Sequence, residues 1–459
     1  MEKTKKKKFE TQIKHCVSFS FPPLTLASIT LRLRFPMPTT IVLIPGFLTP
    51  KSSFFDYWGS AFDVSPATQV VAVSPSGVAS LHDRACEIFA ELTGTTVDYG
   101  AKHAKEHGHS QYGRVYNRAL LPTWSESNPV HLVGHSYGGV TARYFLHLCD
   151  IGFFGTNINC NFIKSITCIN SPNNGALSVY SLGQKDCTSS TTTPTTTDTK
   201  SRSKHVETFS IGWFLGMFVH VIEYFCHYIS ILTIFNFGMG HWPSTKSFSG
   251  TVSSIVKKSF MFEQMDCANY DMSVHATRET NLNLKTHPTT YYISIVGSVH
   301  SIEKEQDDLE KESATDQPIN EKYQHTYQPW FAWIMWCFGS MFMCMLKIST
   351  LFHHQSIKKF VKDTIVEEWQ NTGDDGLVTC KSQAFPLIDS SGMEPLHRDI
   401  DSLQDVTLEP GCWYIHRVQK HHLGIVPFPK NYNEQYNFFS QLFTILQNLP
   451  SKSRGLYLG

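Results

Sequence analysis

The chain has 459 residues, 41% of them hydrophobic and 13% aromatic, which is enough apolar material for one large domain with insertions or for two or three smaller ones. The counts of acidic and basic residues, 39 and 39, give a formal net charge of +0, which argues against nucleic acid as a partner. The 12 cysteines form no Cys-x-x-Cys pair. They indicate scattered thiols rather than a disulfide framework, which favours an intracellular location over secretion.

Residues 1–37 differ in composition from the rest of the chain. Lysines at positions 3 and 5–8 form a basic cluster, and the moderately apolar residues 16–33 follow it. This order resembles a secretory signal, but two prolines and two arginines interrupt the apolar part and no clean cleavage site follows. We therefore expect a disordered or surface-binding extension, with a signal peptide as the alternative, before a main domain over residues 38–459.

The main domain begins with a strand. Residues 39–44 form a continuous apolar and β-branched run that ends at a Pro-Gly turn, as is typical of a buried parallel strand. A second strand is predicted over 70–74, and residues 82–92 carry apolar side chains at helical spacing. The polar stretch 97–114 holds three histidines within seven residues, which fits either a metal-binding tract or a solvated loop.

The most informative stretch is 130–139. A short apolar strand runs into the pattern Gly-x-Ser-x-Gly, with Ser136 at its centre, and a helix-like run follows. In α/β-hydrolases a strained turn between strand and helix lifts a nucleophilic serine clear of the sheet, and its neighbours must be small because the backbones lie close. The context predicts that Ser136 is a nucleophile rather than part of an ordinary glycine-rich turn.

Two long apolar stretches follow. Residues 211–237 carry Glu223 as their one formal charge and residues 329–346 carry none, so each is long enough to span a bilayer. If these stretches crossed a membrane, they would place the candidate catalytic or metal-binding residues on opposite sides of it. We therefore expect lid and wall helices that cover the site and open onto lipid, with ordinary core helices as the alternative.

Other segments carry less information about function. They are a strand at 163–170, a Thr/Ser tract at 188–197 that is expected to be disordered, a solvated acidic loop at 303–321 and a helix at 362–369.

Candidates for the partners of the serine occur late in the chain. Residues 371–376 form a predicted tight turn that contains Asp374 and Asp375, and His421 and His422 follow it. In α/β-hydrolases an acid in such a loop orients a histidine that comes later in the sequence, and this histidine is the base. The residues alone leave both pairs open.

Several longer motifs occur in the order found in one enzyme family. They cover residues 83–87, 94–101, 107–114, 134–143, 266–273, 290–294, 374–378 and 422–423. In these motifs the chain resembles the thermostable lipases of Geobacillus and the related staphylococcal lipases, from Thr39 to the C-terminus with gaps.

The resemblance implies the α/β class and the α/β-hydrolase fold, with a mostly parallel sheet, helices on both faces and a helical lid. It also implies an extra zinc-binding subdomain. The expected divisions of the main domain are 83–114 plus about 240–285 for the zinc subdomain, about 183–240 for a Thr-rich loop and lid, and 329–347 for an apolar helix.

The resemblance also assigns catalytic roles. Ser136 corresponds to the nucleophile, Asp375 rather than its neighbour to the acid, and His422, which precedes a leucine, to the base. In this fold the oxyanion hole is made by main-chain N–H groups after the first strand and after the nucleophile, which points to Phe47 and Tyr137. The alternative for Phe47 is a plain core aromatic residue.

The resemblance implies two metal-related features. The family holds a zinc ion with two aspartates and two histidines, a closed tetrahedral set typical of a structural site. Carried over by motif, the ligands are Asp83, His103, His109 and Asp266, with His107 and Asp271 nearby as the alternatives.

The family's calcium site is the point of departure. The positions just after the catalytic histidine that carry acidic ligands in the bacterial enzymes correspond here to Gly424 and Pro429. Calcium needs about six to eight oxygen ligands, so we expect no calcium site.

The sequence therefore predicts a serine carboxylic ester hydrolase that acts on lipid, with a triacylglycerol or a simpler ester as substrate and a lipid or membrane surface as partner. A phospholipase or an acyltransferase with the same triad is one alternative, and a non-catalytic membrane-binding scaffold is the other. The oligomeric state stays open, and we expect an intracellular location at a lipid surface rather than secretion.

Overall fold

A parallel β-sheet lies at the centre of the computed structural model, which describes residues 39–51, 56–64, 67–185, 206–207, 210–226, 236–242, 265–299, 372–404, 406–429 and 431–450. The strands of the sheet are β1 (Thr39–Ile44), β2 (Thr68–Ala72), β5 (Val130–His135), β6 (Ile163–Ile169), β7 (Tyr291–Gly297), β8 (His397–Ile400) and β9 (Trp413–Val418). Their order is β2-β1-β5-β6-β7-β9-β8, and every neighbouring pair is parallel. A separate antiparallel pair consists of β3 (Thr96–Asp98) and β4 (Tyr112–Val115).

The central strands are buried on both faces, which explains their continuous apolar character. All residues of β5 and β7 are buried, and Ile41–Ile44 of β1 have no exposed surface. A parallel sheet takes this form because the crossover connections place helices over each face.

Helices cover the two faces of the sheet. The helices are α1 (Leu81–Thr93), α2 (Ala101–His107), α3 (Tyr137–Asp150), α4 (Ser178–Ser181), α5 (Ile211–Cys226), α6 (Ala268–Asp271), α7 (Val274–Asn281), α8 (Cys380–Ala384) and α9 (Tyr432–Asn448). Short 3₁₀ helices occupy Gly59–Asp63 and Cys160–Phe162. On one face α1 and α3 pack around Phe145, and on the other α9 packs around Phe439 and Phe443.

The ends of α1 follow the usual capping rules. The Ser80 side chain accepts a hydrogen bond from the Asp83 main-chain N–H at 3.2 Å, and Gly94 ends the helix with φ at 71°. The cap holds Asp83 in the first turn, where the helix dipole favours a carboxylate. The Ser80 cap therefore fixes the backbone of one predicted metal ligand.

The predicted fold is correct, and several element bounds differ. β2 runs from Thr68 rather than from residue 70, because its register with β1 pairs Thr39 with Thr68. The polar stretch 97–114 is an ordered unit of β3, α2 and β4 rather than a loop. Part of the helix expected over 211–237 is observed as α5 (Ile211–Cys226), and residues 227–235 lie outside those described.

Several expectations concern residues outside those described. They are the extension 1–37, the Thr/Ser tract 188–197, the acidic segment 303–321, the apolar segment 329–346 and the helix at 362–369. Within the described ranges, no helix combines the length and apolar character needed to cross a bilayer.

Candidate active site and metal cluster

Ser136 lies at the sharp turn between β5 and α3. Its backbone has φ 55° and ψ −128°, a conformation that a non-glycine residue adopts only when its surroundings enforce it. A Cβ atom added at Gly138 would lie 2.1 Å from the Ile44 carbonyl oxygen, and one at Gly134 would lie 2.3 Å from the Gly138 carbonyl carbon. The small residues of the pattern are therefore required by close backbone contact, and the turn presents the serine hydroxyl above the sheet.

The hydroxyl of Ser136 meets the other two predicted catalytic side chains. The distance from Ser136 Oγ to His422 Nε2 is 2.8 Å, and the distance from His422 Nδ1 to Asp375 Oδ2 is 2.8 Å. The second carboxylate oxygen, Asp375 Oδ1, accepts hydrogen bonds from the main-chain N–H groups of Leu377 and Val378 at 3.0 and 2.8 Å. Because a carboxylate only accepts, Nδ1 carries the proton of the neutral imidazole, which leaves Nε2 to accept from the serine.

The backbone of the base is fixed as firmly as its side chain. The His422 N–H donates to the Asp375 carbonyl oxygen at 2.8 Å. The His422 carbonyl oxygen accepts from His135 Nε2 at 2.9 Å and from Asn170 Nδ2 at 3.1 Å. Burial lowers the pKa of His135 well below its usual value, so this ring is neutral with its proton on Nε2, and its Nδ1 accepts from the Tyr57 hydroxyl at 2.6 Å.

Two main-chain N–H groups next to Ser136 suit an oxyanion hole. A Cβ atom on Gly46 would lie 2.9 Å from Ser136 Cβ, so the loop after β1 touches the nucleophile. The Gly46 N–H donates to the Tyr57 hydroxyl at 3.0 Å. The next N–H, of Phe47, and that of Tyr137 have no hydrogen-bond partner among the described residues. Both predicted donors are therefore available to a substrate oxygen.

A buried arginine ties this loop to the helices behind it. The Arg84 guanidinium donates to the carbonyl oxygens of Pro45 and Ser76 at 2.5 and 2.6 Å and to Thr141 Oγ1 at 2.9 Å. It also lies 4.9 Å from the centroid of the Tyr137 ring. The loop before Phe47 is thereby held against α3. The sequence carried a signal for this role, because Arg84 occupies the apolar face of α1.

The four predicted zinc ligands form a second polar cluster. The ligand atoms of Asp83, His103, His109 and Asp266 all lie within 4.8 Å of one another. His103 Nε2 is 3.2 Å from Asp83 Oδ1 and 3.3 Å from Asp266 Oδ1, and His109 Nε2 is 3.4 Å from Asp266 Oδ2. In a tetrahedral site with bonds of about 2.0–2.1 Å, neighbouring ligand atoms are about 3.3–3.4 Å apart. The side chains are spaced as a metal ion requires.

The chemistry of the cluster also fits a cation. Asp83 Oδ1, His103 Nε2, His109 Nε2 and Asp266 Oδ2 are buried and have no hydrogen-bond partner among the described residues. Burial alone would lower the pKa of His103, but the carboxylates of Asp266 and Asp83, 3.3 and 3.2 Å away, raise it to about 10. The two carboxylates therefore favour a positive charge between them, which a metal ion would supply.

Further residues orient the ligands from outside. His109 Nδ1 is 2.9 Å from the Ser110 carbonyl oxygen, to which it donates, so its Nε2 is left as a ligand atom. His241 Nε2 is 3.0 Å from Asp83 Oδ2, and His241 Nδ1 is 3.2 Å from the Tyr99 hydroxyl. Sequence reasoning did not single out His241, which lies 158 positions from Asp83.

The alternative residues lie near the sites but outside them. The ring of His107 is 4.4 Å from that of His103, and His107 is not in the ligand set. Asp271 Oδ2 accepts hydrogen bonds from the Leu81 N–H at 2.7 Å and the Tyr137 hydroxyl at 2.9 Å. Asp374 Oδ1 accepts from a main-chain N–H in its own turn.

An apolar pocket adjoins the oxyanion loop. It encloses about 310 Å³ including the part open to solvent, and it is lined by Phe47, Val179, Leu182, Gln184, Val206, Gly212, Leu215 and Asn269. Helix α5 forms one wall of the pocket. The outer side of α5 exposes Phe214, Phe218 and Phe225, which recur at helical spacing.

Comparison with known proteins places the chain among lipases and esterases. The family model described as "Lipase-like, C-terminal domain" matches residues 51–314. The lipase of Staphylococcus hyicus is 29% identical over 245 residues, which are 49% of this chain and 33% of that protein. Lipase 2 of Staphylococcus aureus is 27% identical over 284 residues, 56% of this chain and 37% of that protein. The chain thus spans about a third of the length of the curated relatives it matches.

Solved structures match over most of the chain. The crystal structure of Staphylococcus hyicus lipase has a TM-score of 0.59 at 21% identity and covers 89% of this chain and 95% of its own. EstA from Clostridium botulinum has a TM-score of 0.54 at 21% identity, with 90% and 88% covered. These likenesses support the α/β-hydrolase fold.

Proposed function

The chain belongs to the family described as lipase-like, C-terminal domain, and from that premise we propose that it is a serine carboxylic ester hydrolase acting on lipid esters. The observation that carries the proposal is the continuous hydrogen-bonded path from Ser136 Oγ through the His422 ring to the Asp375 carboxylate. A scaffold that only binds membranes would have no use for this geometry. The unpartnered N–H groups beside the serine add the second element that acyl transfer needs.

The reaction would proceed through an acyl-enzyme. Ser136 Oγ attacks the ester carbonyl carbon while His422 Nε2 takes the hydroxyl proton, and the Asp375 carboxylate stabilises the imidazolium without itself becoming protonated. The carbonyl oxygen becomes an oxyanion that the N–H groups of Phe47 and Tyr137 bind. His422 then returns its proton to the leaving alcohol oxygen. Water then attacks the acyl-enzyme by the same steps, with His422 as the base, and releases the fatty acid.

The surroundings of the site favour an apolar acyl group. The pocket that Phe47 helps to line has mainly apolar side chains, and its wall α5 presents three phenylalanines outward. We propose a triacylglycerol or a simpler carboxylic ester as the substrate, reached from a lipid or membrane surface on which α5 lies. We also propose that the protein is located inside the cell, at such a lipid or membrane surface.

We further propose that the ion held by the Asp83 cluster is zinc and that its role is structural. Two carboxylates and two imidazoles form a closed set of four ligands, which suits tetrahedral zinc and leaves no open position for a reacting group. When bound, the ion would supply positive charge and a rigid link between α1, α2 and the segment before α6. Gly424 and Pro429 offer no carboxylate to a calcium ion, so we propose no calcium site near His422.

The test is hydrolysis of short-chain and long-chain p-nitrophenyl esters by the wild type, Ser136→Ala and the control Ser127→Ala, with zinc content measured on the same samples. Ser127 is exposed and lies before β5, whereas Ser136 follows the other end of that strand, so the Ser127 variant should behave as the wild type. We expect Ser136→Ala to lose turnover while it keeps its fold and its zinc.

Absence of turnover in the wild type, even with detergent or lipid present, would reject the hydrolase and favour the membrane-binding scaffold. Product analysis with and without an alcohol acceptor separates hydrolysis from acyl transfer. Comparison of triacylglycerol with phospholipid separates a lipase from a phospholipase.

A further inference from the structure

A second group of metal-ligating side chains lies outside the site and cluster described above. The ligand atoms of Asp150, Cys160 and His287 all lie within 4.8 Å of one another. We propose that these three residues bind a second divalent cation, of the zinc class, that stabilises the fold. This site is independent of the catalytic proposal and of the Asp83 cluster.

The three residues meet at the amino edge of the sheet. Asp150 is the last residue of α3, and Cys160 begins the 3₁₀ helix that leads into β6. His287 precedes β7, the neighbour of β6 in the sheet. Ser136 follows β5 at the opposite, carboxyl edge. An ion here would join three connections that enter the sheet, far from the reacting atoms.

One separation within the group agrees with the spacing of neighbouring metal ligands. His287 Nε2 is 3.4 Å from Asp150 Oδ2. A charge-assisted N–H···O bond is about 2.7–2.9 Å long, whereas tetrahedral zinc holds nitrogen and oxygen ligands about 3.3–3.4 Å apart. The same separations occur in the Asp83 cluster, at 3.3 and 3.4 Å. The His287–Asp150 separation therefore matches those within the Asp83 cluster.

The electrostatic setting also calls for a cation. Asp150 lies at the C-terminus of a helix of 14 residues, where the carbonyl groups carry partial negative charge and an added carboxylate is unfavourable. His287 is buried with 4% of its surface exposed, while the Asp150 side chain remains 33% exposed. A cation bound by Asp150 and His287 would offset the charge of the carboxylate and the partial charge of the helix end, and it could enter from the solvent side.

The donor set selects the class of metal. A thiolate, an imidazole and a carboxylate together suit zinc, whereas magnesium and calcium take oxygen ligands. The fourth position falls to water or to His147, which lies one turn before Asp150 on the same face of α3. The Asp83 cluster, by contrast, contains no sulfur.

That difference gives the experiment its readout. The full chain is stripped of metal, reloaded with Co²⁺ and examined for the near-ultraviolet thiolate-to-cobalt charge-transfer band, with zinc content measured in parallel. We expect two zinc ions per chain and a charge-transfer band. Cys160→Ser should lose the band and one zinc ion, and so should His287→Asn.

Controls separate this site from the other one and from misfolding. Cys149→Ala removes a neighbouring thiol that is not in the ligand set, so it should keep the band and both ions. His103→Asn should lose the other zinc ion and keep the band. Asp150→Asn changes a partly exposed helix end, which makes it a second test should Cys160→Ser fold poorly. A wild-type protein with no band, or a Cys160→Ser protein with an unchanged band and zinc content, would overturn the proposal.

Discussion

The triad and the Asp83 cluster are built from similar side chains but differ in how their polar atoms are satisfied. In the triad, both oxygens of Asp375, both ring nitrogens of His422 and the Ser136 hydroxyl have hydrogen-bond partners. In the cluster, one ligand atom of each residue is buried and has no hydrogen-bond partner among the described residues. The protein completes its active site with its own atoms. The proposed ion would complete the cluster, because a buried polar atom without a partner is destabilising.

The largest expected effect tests whether the triad is complete as described. Asp375→Asn keeps the size of the side chain but favours the wrong tautomer of His422, so kcat should fall by about 10⁴-fold with the fold intact. The neighbouring variant Asp374→Asn is the matched control, because the Asp374 carboxylate accepts its hydrogen bond from the Gly376 N–H in its own turn and does not contact His422 in the described structure. Ester hydrolysis and thermal unfolding would be measured on both. Equal loss in the two variants would mean that the acid has been assigned wrongly.

The second prediction concerns the Asp83 cluster. Asp83→Asn removes a charged ligand, so the protein should lose its metal and about 3–5 kcal/mol of unfolding free energy, the range for breaking a buried ionic group. Turnover per folded molecule should change little, since Asp83 does not touch the triad. His107→Asn, next to the cluster but outside the ligand set, should retain both metal and stability. Denaturant titration with metal analysis gives both quantities.

Asp271 connects the two regions, and its ionisation gives a prediction about pH. Burial is the main cause that raises its pKa from 3.8 to about 7, and the charges of Asp266 and Asp83 add to it. Because the unfolded chain ionises first, the native state binds more protons between these values. Stability should therefore fall as pH rises from about 4 to 7, by an amount on the order of a few kcal/mol, and level off above 7.

The isosteric variant isolates this contribution. In Asp271→Asn the amide oxygen can still accept from the Leu81 N–H and the Tyr137 hydroxyl. The metal ligands titrate in the wild type and the variant alike, so the difference between the two unfolding free energies across pH 4–8 reports on Asp271. A difference that does not change with pH would contradict the raised pKa.

The smallest expected effect concerns the groups behind the triad. Burial raises the pKa of Tyr57 to about 12, so its hydroxyl stays protonated, donates to His135 and accepts from the Gly46 N–H. Tyr57→Phe leaves both buried partners unsatisfied, at a cost of about 1–3 kcal/mol, and should lower kcat about tenfold through poorer placement of the base and the oxyanion loop. The exposed Tyr112→Phe should leave kcat unchanged. A fall in stability with kcat intact would restrict Tyr57 to a structural role.

Local patterns were sufficient for the centre of the fold. The apolar run of β1 and the strand–serine–helix pattern around Ser136 depend on neighbouring residues, so the sequence predicts them directly. The bounds of β2 depend instead on its register with β1, which no local pattern contains. For the unit of β3, α2 and β4 the residues alone leave a metal-binding tract and a solvated loop open, because polar side chains carry no periodic apolar signal.

The site itself needed long-range information. Asp375 and His422 could be chosen over their neighbours only through motifs shared with a known family, since 286 positions separate His422 from Ser136. Asn170 holds His422 directly, and Tyr57 holds it through His135. No local sequence pattern marks either residue. Side chains that act through another residue are found only once the fold has brought them together.

The place of β9 in the sheet has a consequence for biosynthesis. In the described sheet β9 is the one neighbour of β8, and β8 is translated before β9. Strand β8 therefore stays unpaired until β9 has inserted beside β7. His422 follows β9 and is translated long after Ser136. A growing chain therefore contains Ser136 for most of its translation without His422. The three side chains of the proposed triad can meet only after β9 and the segment that follows it have been translated.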